Sequence, residues 1–96
     1  MGVIVNYDLD DKHTAVKNAM KEKGYQDYFE FYKIVSGVRT KKKITLPNTT
    51  LFHSAKSAVQ GRDELKSVAE SKGAKVEYIL ATQFDPHSPS WASYGL

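Results

Sequence analysis

An α+β fold is predicted by three observations: short runs of β-branched residues bounded by turn residues, two amphipathic segments with helical spacing, and the alternation of the two along the chain. The 96 residues, 41% hydrophobic and 26% charged, suffice for one core but not for two. Residues 1–96 are therefore read as a single domain, with 1–83 as its core and 84–96 as a tail packing on itself or on a partner.

Residues 2–7, GVIVNY, read as a strand near the centre of a sheet, with Val3, Val5 and Tyr7 on one face and Ile4, Asn6 and Asp8 on the other. Residues 12–23 follow as a helix whose stripe is Ala15, Val16, Ala19 and Met20, capped by Asp10 or Asp11 and closed by Gly24. Residues 25–46 are aromatic and β-prone, then basic. They read as a strand or a hairpin turning at Ser36 and Gly37. Residues 49–54, TTLFHS, form a short strand with Leu51 and His53 on one face.

A second helix spans 57–72, with Ser57 and Gln60 as a capping box, Ala58, Val59, Leu65, Val68 and Ala69 as its apolar side, and Gly73 at its end; Gly61 weakens its first turns. Residues 75–82 alternate Val76, Tyr78 and Leu80 against Glu77, Ile79 and Ala81 as a last strand. In the tail, Pro86 and Pro89 stop the strand, while Trp91, Tyr94 and Leu96 are too apolar for a purely solvated segment. This order gives a ferredoxin-like βαββαβ sandwich: a four-stranded antiparallel sheet with two helices on one face. The other face needs a cover or a ligand, and a partner molecule is the economical cover.

Absence of cysteine excludes disulfides, thiolate metal sites and cysteine nucleophiles. No basic, apolar leader pattern and no apolar run long enough for a membrane span are present, which predicts a cytoplasmic protein without membrane contact. The net charge is only +3, yet Lys33, Arg39, Lys41, Lys42 and Lys43 fall together with no acid among 33–43. Such a cluster suits the phosphates of RNA or DNA. From charge alone, a solvated hairpin tip is the favoured reading.

Asp8, at a strand end, with Asp10 in the following turn, is a candidate ligand set for magnesium or manganese, which take carboxylates and water and act on phosphate esters. For Asp10 and Asp11, capping and turn formation are the better explanation; for Asp8 the two readings weigh equally. His13, His53 and His87 lack zinc spacing. His53 is a candidate acid or base near a phosphate, with a structural role favoured. Tyr25, Tyr28, Phe29, Phe31 and Tyr32 suit base stacking, but no RNA-recognition signature accompanies them, and packing in the core or a dimer is favoured. No nucleotide-binding glycine loop is present.

The stretch VIVNYDLDD, residues 3–11, resembles the first strand of the small CRISPR-associated ferredoxin-like nuclease family. LPNTTLFHS (46–54) and LATQFDP (80–86) look like its SinR-like and VapD-like relatives. The resemblance implies a homodimer and a metal-ligating aspartate matching Asp8. The chain departs from the family in carrying Lys12, His13 and Lys17 where arginines are usual early in the first helix, and in its longer, more basic middle. The expectation is a homodimeric protein acting on nucleic acid, as a metal-dependent endoribonuclease using Asp8 and His53, or as a non-catalytic module binding nucleic acid or a protein partner.

Overall fold

The computed structural model describes residues 2–96. The elements are β1 (Gly2–Leu9), α1 (His13–Glu22), β2 (Tyr28–Val35), β3 (Val38–Thr45), β4 (Thr50–His53), α2 (Ala58–Ser71) and β5 (Val76–Phe84). The chain is α+β in βαβββαβ order, but its five strands form two antiparallel sheets: β4-β1-β5 and the hairpin β2-β3. The expected single four-stranded ferredoxin-like sheet is corrected accordingly.

The cause lies at one residue. Gln26 exchanges two 2.8 Å backbone hydrogen bonds with Phe52 of β4, the pairing a fourth strand would continue. β4 is only four residues long, however, and from Tyr28 onward the chain pairs with β3 instead, in full register from Tyr28↔Thr45 to Val35↔Val38. Ser36 and Gly37, both at positive φ (51° and 77°), make the two-residue turn whose twist suits a hairpin. A Cβ on Gly37 would meet nothing within 4 Å, so glycine is needed there for its φ alone. The hairpin extends the molecule to 50 × 22 × 22 Å and raises its radius of gyration to 14.3 Å, against about 12.5 Å for a compact chain of this length.

The core follows the alternation of β1. Val3, Val5, Tyr7 and Leu9 are buried against Val16 and Met20 of α1 and Leu65, Val68 and Ala69 of α2, with Leu51 of β4 beside them. Each fully buried aliphatic side chain contributes about 1.5–3 kcal/mol. Val76 joins this core although alternation assigns it to the face of Tyr78 and Leu80. A register shift at Asp8/Leu9 pairs Leu9 with Val76, and the resulting bulge turns Val76 inward.

Two features of the helices differ from expectation. Neither Asp10 nor Asp11 caps α1: its N-cap is Lys12, in a left-handed conformation, with no side-chain cap. The Asp10 carboxylate instead accepts the Lys75 N–H at 2.7 Å, and its own N–H donates to the Lys75 carbonyl, tying the β1–α1 turn to the α2–β5 turn. In α2 the Ser57–Gln60 capping box is present, but Val59 is exposed and Gly61 takes the inward place.

Gly61 lets α2 approach β1. A Cβ there would stand 2.8 Å from Val5 Cγ2 and 3.3 Å from Val3 Cγ2, side chains that are fully buried and stiff at χ1. Gly61→Ala gains nearly 1 kcal/mol of helix propensity but overpacks this contact by about 1–3 kcal/mol. The expected outcome is net destabilisation, read as a lower urea midpoint at unchanged m-value.

Two carboxylates hold the frame electrostatically. Asp27 is held below the usual carboxylate range by a hydrogen bond from Lys21, 3.0 Å away, and further by Lys17 at 3.6 Å. Burial pushes the Glu64 carboxyl up, but the Tyr25 hydroxyl at 2.9 Å and Lys56 at 3.2 Å outweigh it and bring it down. Burial, then the same Glu64 contact, raises the Tyr25 phenol strongly. Because both acids titrate lower in the folded chain, the unfolded chain binds more protons in acid. Their stabilisation is present above the ordinary carboxylate range and is lost as pH falls through the folded values. A denaturation midpoint followed from pH 7 to 3 should fall, and Glu64→Gln should flatten that fall while costing roughly 0.5–1 kcal/mol at neutral pH.

Candidate functional site

Strand pairing sorts the basic cluster into two faces. Directly paired residues share a face, so Tyr28, Glu30, Tyr32 and Ile34 stand with Lys43, Lys41 and Arg39, while Lys33 and Lys42 lie on the opposite face with Phe29 and Phe31. The five cations predicted together therefore divide three and two. Along β3, Arg39, Lys41 and Lys43 form a row repeating every ~6.8 Å, two residues of antiparallel strand.

Contacts between neighbours steady this row. Arg39 lies 3.9 Å over the Tyr32 ring and Lys43 4.2 Å over Tyr28. Lys41 meets Glu30 at 3.1 Å, whose hydrogen bond and charge raise the Lys41 ammonium pKa. Glu30 is the one acid among residues 28–45, against five bases, so the hairpin carries a strong local excess of positive charge. The opposite face at the hairpin's base is apolar and packed: Phe29 meets Phe84 at 4.9 Å and Trp91 at 5.0 Å, with Phe52 behind. The tail thus packs on this domain through Trp91, whose indole N–H donates to the Pro86 carbonyl, while Tyr94 is fully exposed.

The acidic candidates do not converge. Asp8, on the face away from the helices, accepts the N–H of Leu9 at 3.0 Å, with His13 Nε2 4.0 Å from its carboxylate. Asp10 is spent on Lys75. His53 pairs with Val3, five residues along β1 from Asp8 and so about 17 Å away. Its Nδ1 accepts the Ala55 N–H and its ring lies edge-on to Tyr25 at 4.9 Å, contacts that shape the β4–α2 turn. Asp8 and His53 are therefore not brought together within one chain. Among the described residues no three His, Asp or Glu side chains form a group able to hold a metal ion. No metal-dependent step is assigned to this arrangement.

Of the residues that gather near Asp8, His13 and Lys17 stand out in the sequence, but not as a site joined to Asp8. His13, Thr14, Lys17, Lys21, Asn48 and Thr49 line an open cleft of about 530 Å³ between α1 and the β3–β4 turn. Lys17 and Lys21 are four apart on α1, a spacing that places them on one helix face, a signal present in the sequence. Both share Asp27, which leaves the pair one net positive charge.

The third feature is the open face of β4-β1-β5. Ile4, Asn6 and Asp8 of β1 pair there with Thr82, Leu80 and Tyr78 of β5, and Thr50 hydrogen-bonds Asn6 at 2.8 Å. Tyr78 and Leu80 are more than half exposed, at 53% and 62%. Among the described residues no helix is long and apolar enough to cross a membrane.

No family model, no curated protein and no solved structure matches this chain. The functional reading is accordingly built on the geometry.

Proposed function

We propose that this protein binds nucleic acid through the cationic face of the β2–β3 ribbon. The observation that carries the reading is the one-sided row Arg39, Lys41, Lys43 on a ribbon whose outer end projects beyond the contacts of Phe29 and Phe31 with Trp91 and of Tyr32 with His87. A row of cations on an extended, stiff element meets a line of phosphates without folding around it, and the released counterions supply affinity. The test is binding of labelled duplex and single-stranded DNA and RNA across a salt series. Three phosphate contacts give a slope of log K against log[salt] of about −2.7 on duplex DNA, and binding independent of salt would refute the reading.

The protein acts as a homodimer joined by the open sheet face. That face exposes Tyr78, Leu80 and Thr82 of β5 beside half-buried Ile4 and Asn6, with Asp8 as its one charged group, and β5 is paired on one side only. A partly apolar face with a single charge in a chain that is 26% charged supports self-association. Leu80→Arg is expected to raise the dimer dissociation constant by at least about tenfold, as measured by sedimentation velocity. A wild-type chain that sediments as a monomer at all concentrations overturns this part.

A second reading, phosphodiester cleavage using Asp8, is favoured by one observation: Asp8 and His13 adjoin the Lys17–Lys21 cleft. In this reading Asp8 holds the ion with water and with donors supplied by a second copy. Cleavage of an RNA and DNA panel with magnesium, manganese or chelator, by wild type and Asp8→Asn, decides it; a metal-dependent product absent with the variant supports it, and no product from wild type removes it.

A further inference from the structure

The ribbon does not end as a solvated tip should. Ile34 is 76% exposed, Val38 63% and Val35 47%, three exposed aliphatic side chains around the Ser36–Gly37 turn. Exposed aliphatics at a loop tip gain nothing in the free protein, and the turn chemistry does not require them: the conformation depends on residues 36 and 37. The cations begin immediately behind them, with Lys33 and Arg39 flanking the tip and Lys41 and Lys43 continuing along the stem.

We propose that this tip is a wedge that enters between base pairs of duplex DNA while Arg39, Lys41 and Lys43 hold the phosphates beside it; the inference rests on the nucleic-acid reading above and names its substrate. Three observations select duplex DNA. Three of the five cations, Arg39, Lys41 and Lys43, run as a row along one face of the stem, matching a linear polyanion better than a lipid surface. Tyr28 and Tyr32 each already carry a cation over the ring, Lys43 and Arg39, and Tyr32 also stacks with His87 at 6.2 Å, so a single strand stacking its bases there competes with contacts already made. A two-stranded ribbon also fits the grooves of B-form DNA, whereas the major groove of duplex RNA is too narrow for side chains to read. Aliphatic wedges that part a base step and bend the helix are an established way for a protein to gain contact area on DNA. The cost is least at flexible pyrimidine–purine steps.

The test compares wild type with Ile34→Thr/Val35→Thr/Val38→Thr, which keeps β-branched side chains on exposed positions and so keeps the hairpin. The probe is a 30-base-pair DNA with a donor–acceptor pair at its ends and 2-aminopurine at a central TA step. Wild type is expected to shorten the end-to-end distance and raise 2-aminopurine emission. The triple variant should lose both changes and bind roughly tenfold more weakly with the same salt slope. Salt-dependent binding by wild type without bending or emission change overturns the wedge and leaves the nucleic-acid reading standing. Bending retained by the variant also overturns the wedge. Absence of salt-dependent binding to any nucleic acid overturns both. Tip-dependent binding to anionic phosphatidylserine vesicles, with no effect of the tip on DNA, overturns the wedge in favour of a lipid surface.

Discussion

Replacing Arg39, Lys41 and Lys43 together with alanine is expected to weaken duplex binding by about 100-fold at moderate salt and to remove most of the slope of affinity against salt, roughly one unit per lost contact. Lys33→Ala/Lys42→Ala, which removes two charges from the same ribbon, is the decisive control. If only net charge mattered, the double variant would lose about two thirds as much binding energy as the triple. Register places Lys33 and Lys42 on the other face, so the double variant should retain nearly all of the slope. All five positions are exposed, where a single substitution usually shifts stability by about 0.5 kcal/mol or less; the triple variant also loses two cation–π contacts and an ion pair, so its urea midpoint is measured beside its binding to separate lost binding from lost folding. Equal losses from the two variants would show that the ribbon attracts nucleic acid without presenting a face to it. Anisotropy titrations at four salt concentrations distinguish the cases.

The sequence carried this site further than it carried the fold. The basic cluster between Lys33 and Lys43 was visible as composition, and the Ser36–Gly37 turn as chemistry, because both are local. The division into faces needed the register of two strands, which a strand-or-hairpin reading of 25–46 left open. Helix boundaries, the Ser57–Gln60 box and the inward face of β1 were likewise readable from short-range pattern. What was not readable depends on chain segments far apart in sequence: that four-residue β4 offers Gln26 one bridge and no more, that a bulge turns Val76 inward, and that Asp10 is claimed by Lys75 rather than by α1. The candidate pair Asp8 and His53 failed to meet for the same reason. Both positions sit on strand ends, but antiparallel pairing sends those ends to opposite sides of the sheet.

Phe29→Ala is expected to be the most damaging single substitution in the ribbon, because Phe29 joins the ribbon to the body. Backbone attachment at its base is slight: the Gln26–Phe52 bridge joins it to β4, while the 2.8 Å bond from the Leu46 N–H to the Asp27 carbonyl only extends the hairpin's own ladder. Phe29 is 3% exposed and touches Phe31, Phe52, Phe84 and Trp91. Truncating a phenylalanine so placed costs about 3–5 kcal/mol, a large share of the roughly 5–15 kcal/mol that stabilises a domain. The chain has one tryptophan, so the readout is specific: Trp91 emission should shift to the red and its quenching by iodide should rise before the main unfolding transition, as tail and ribbon come away from the sheet. Binding should weaken because the ribbon's orientation is no longer fixed, while the salt slope, set by cations on the other face, should persist. If Trp91 emission and the urea midpoint are unchanged, the aromatic cluster is not what holds the ribbon in place, and its projection must then come from the hairpin's own stiffness.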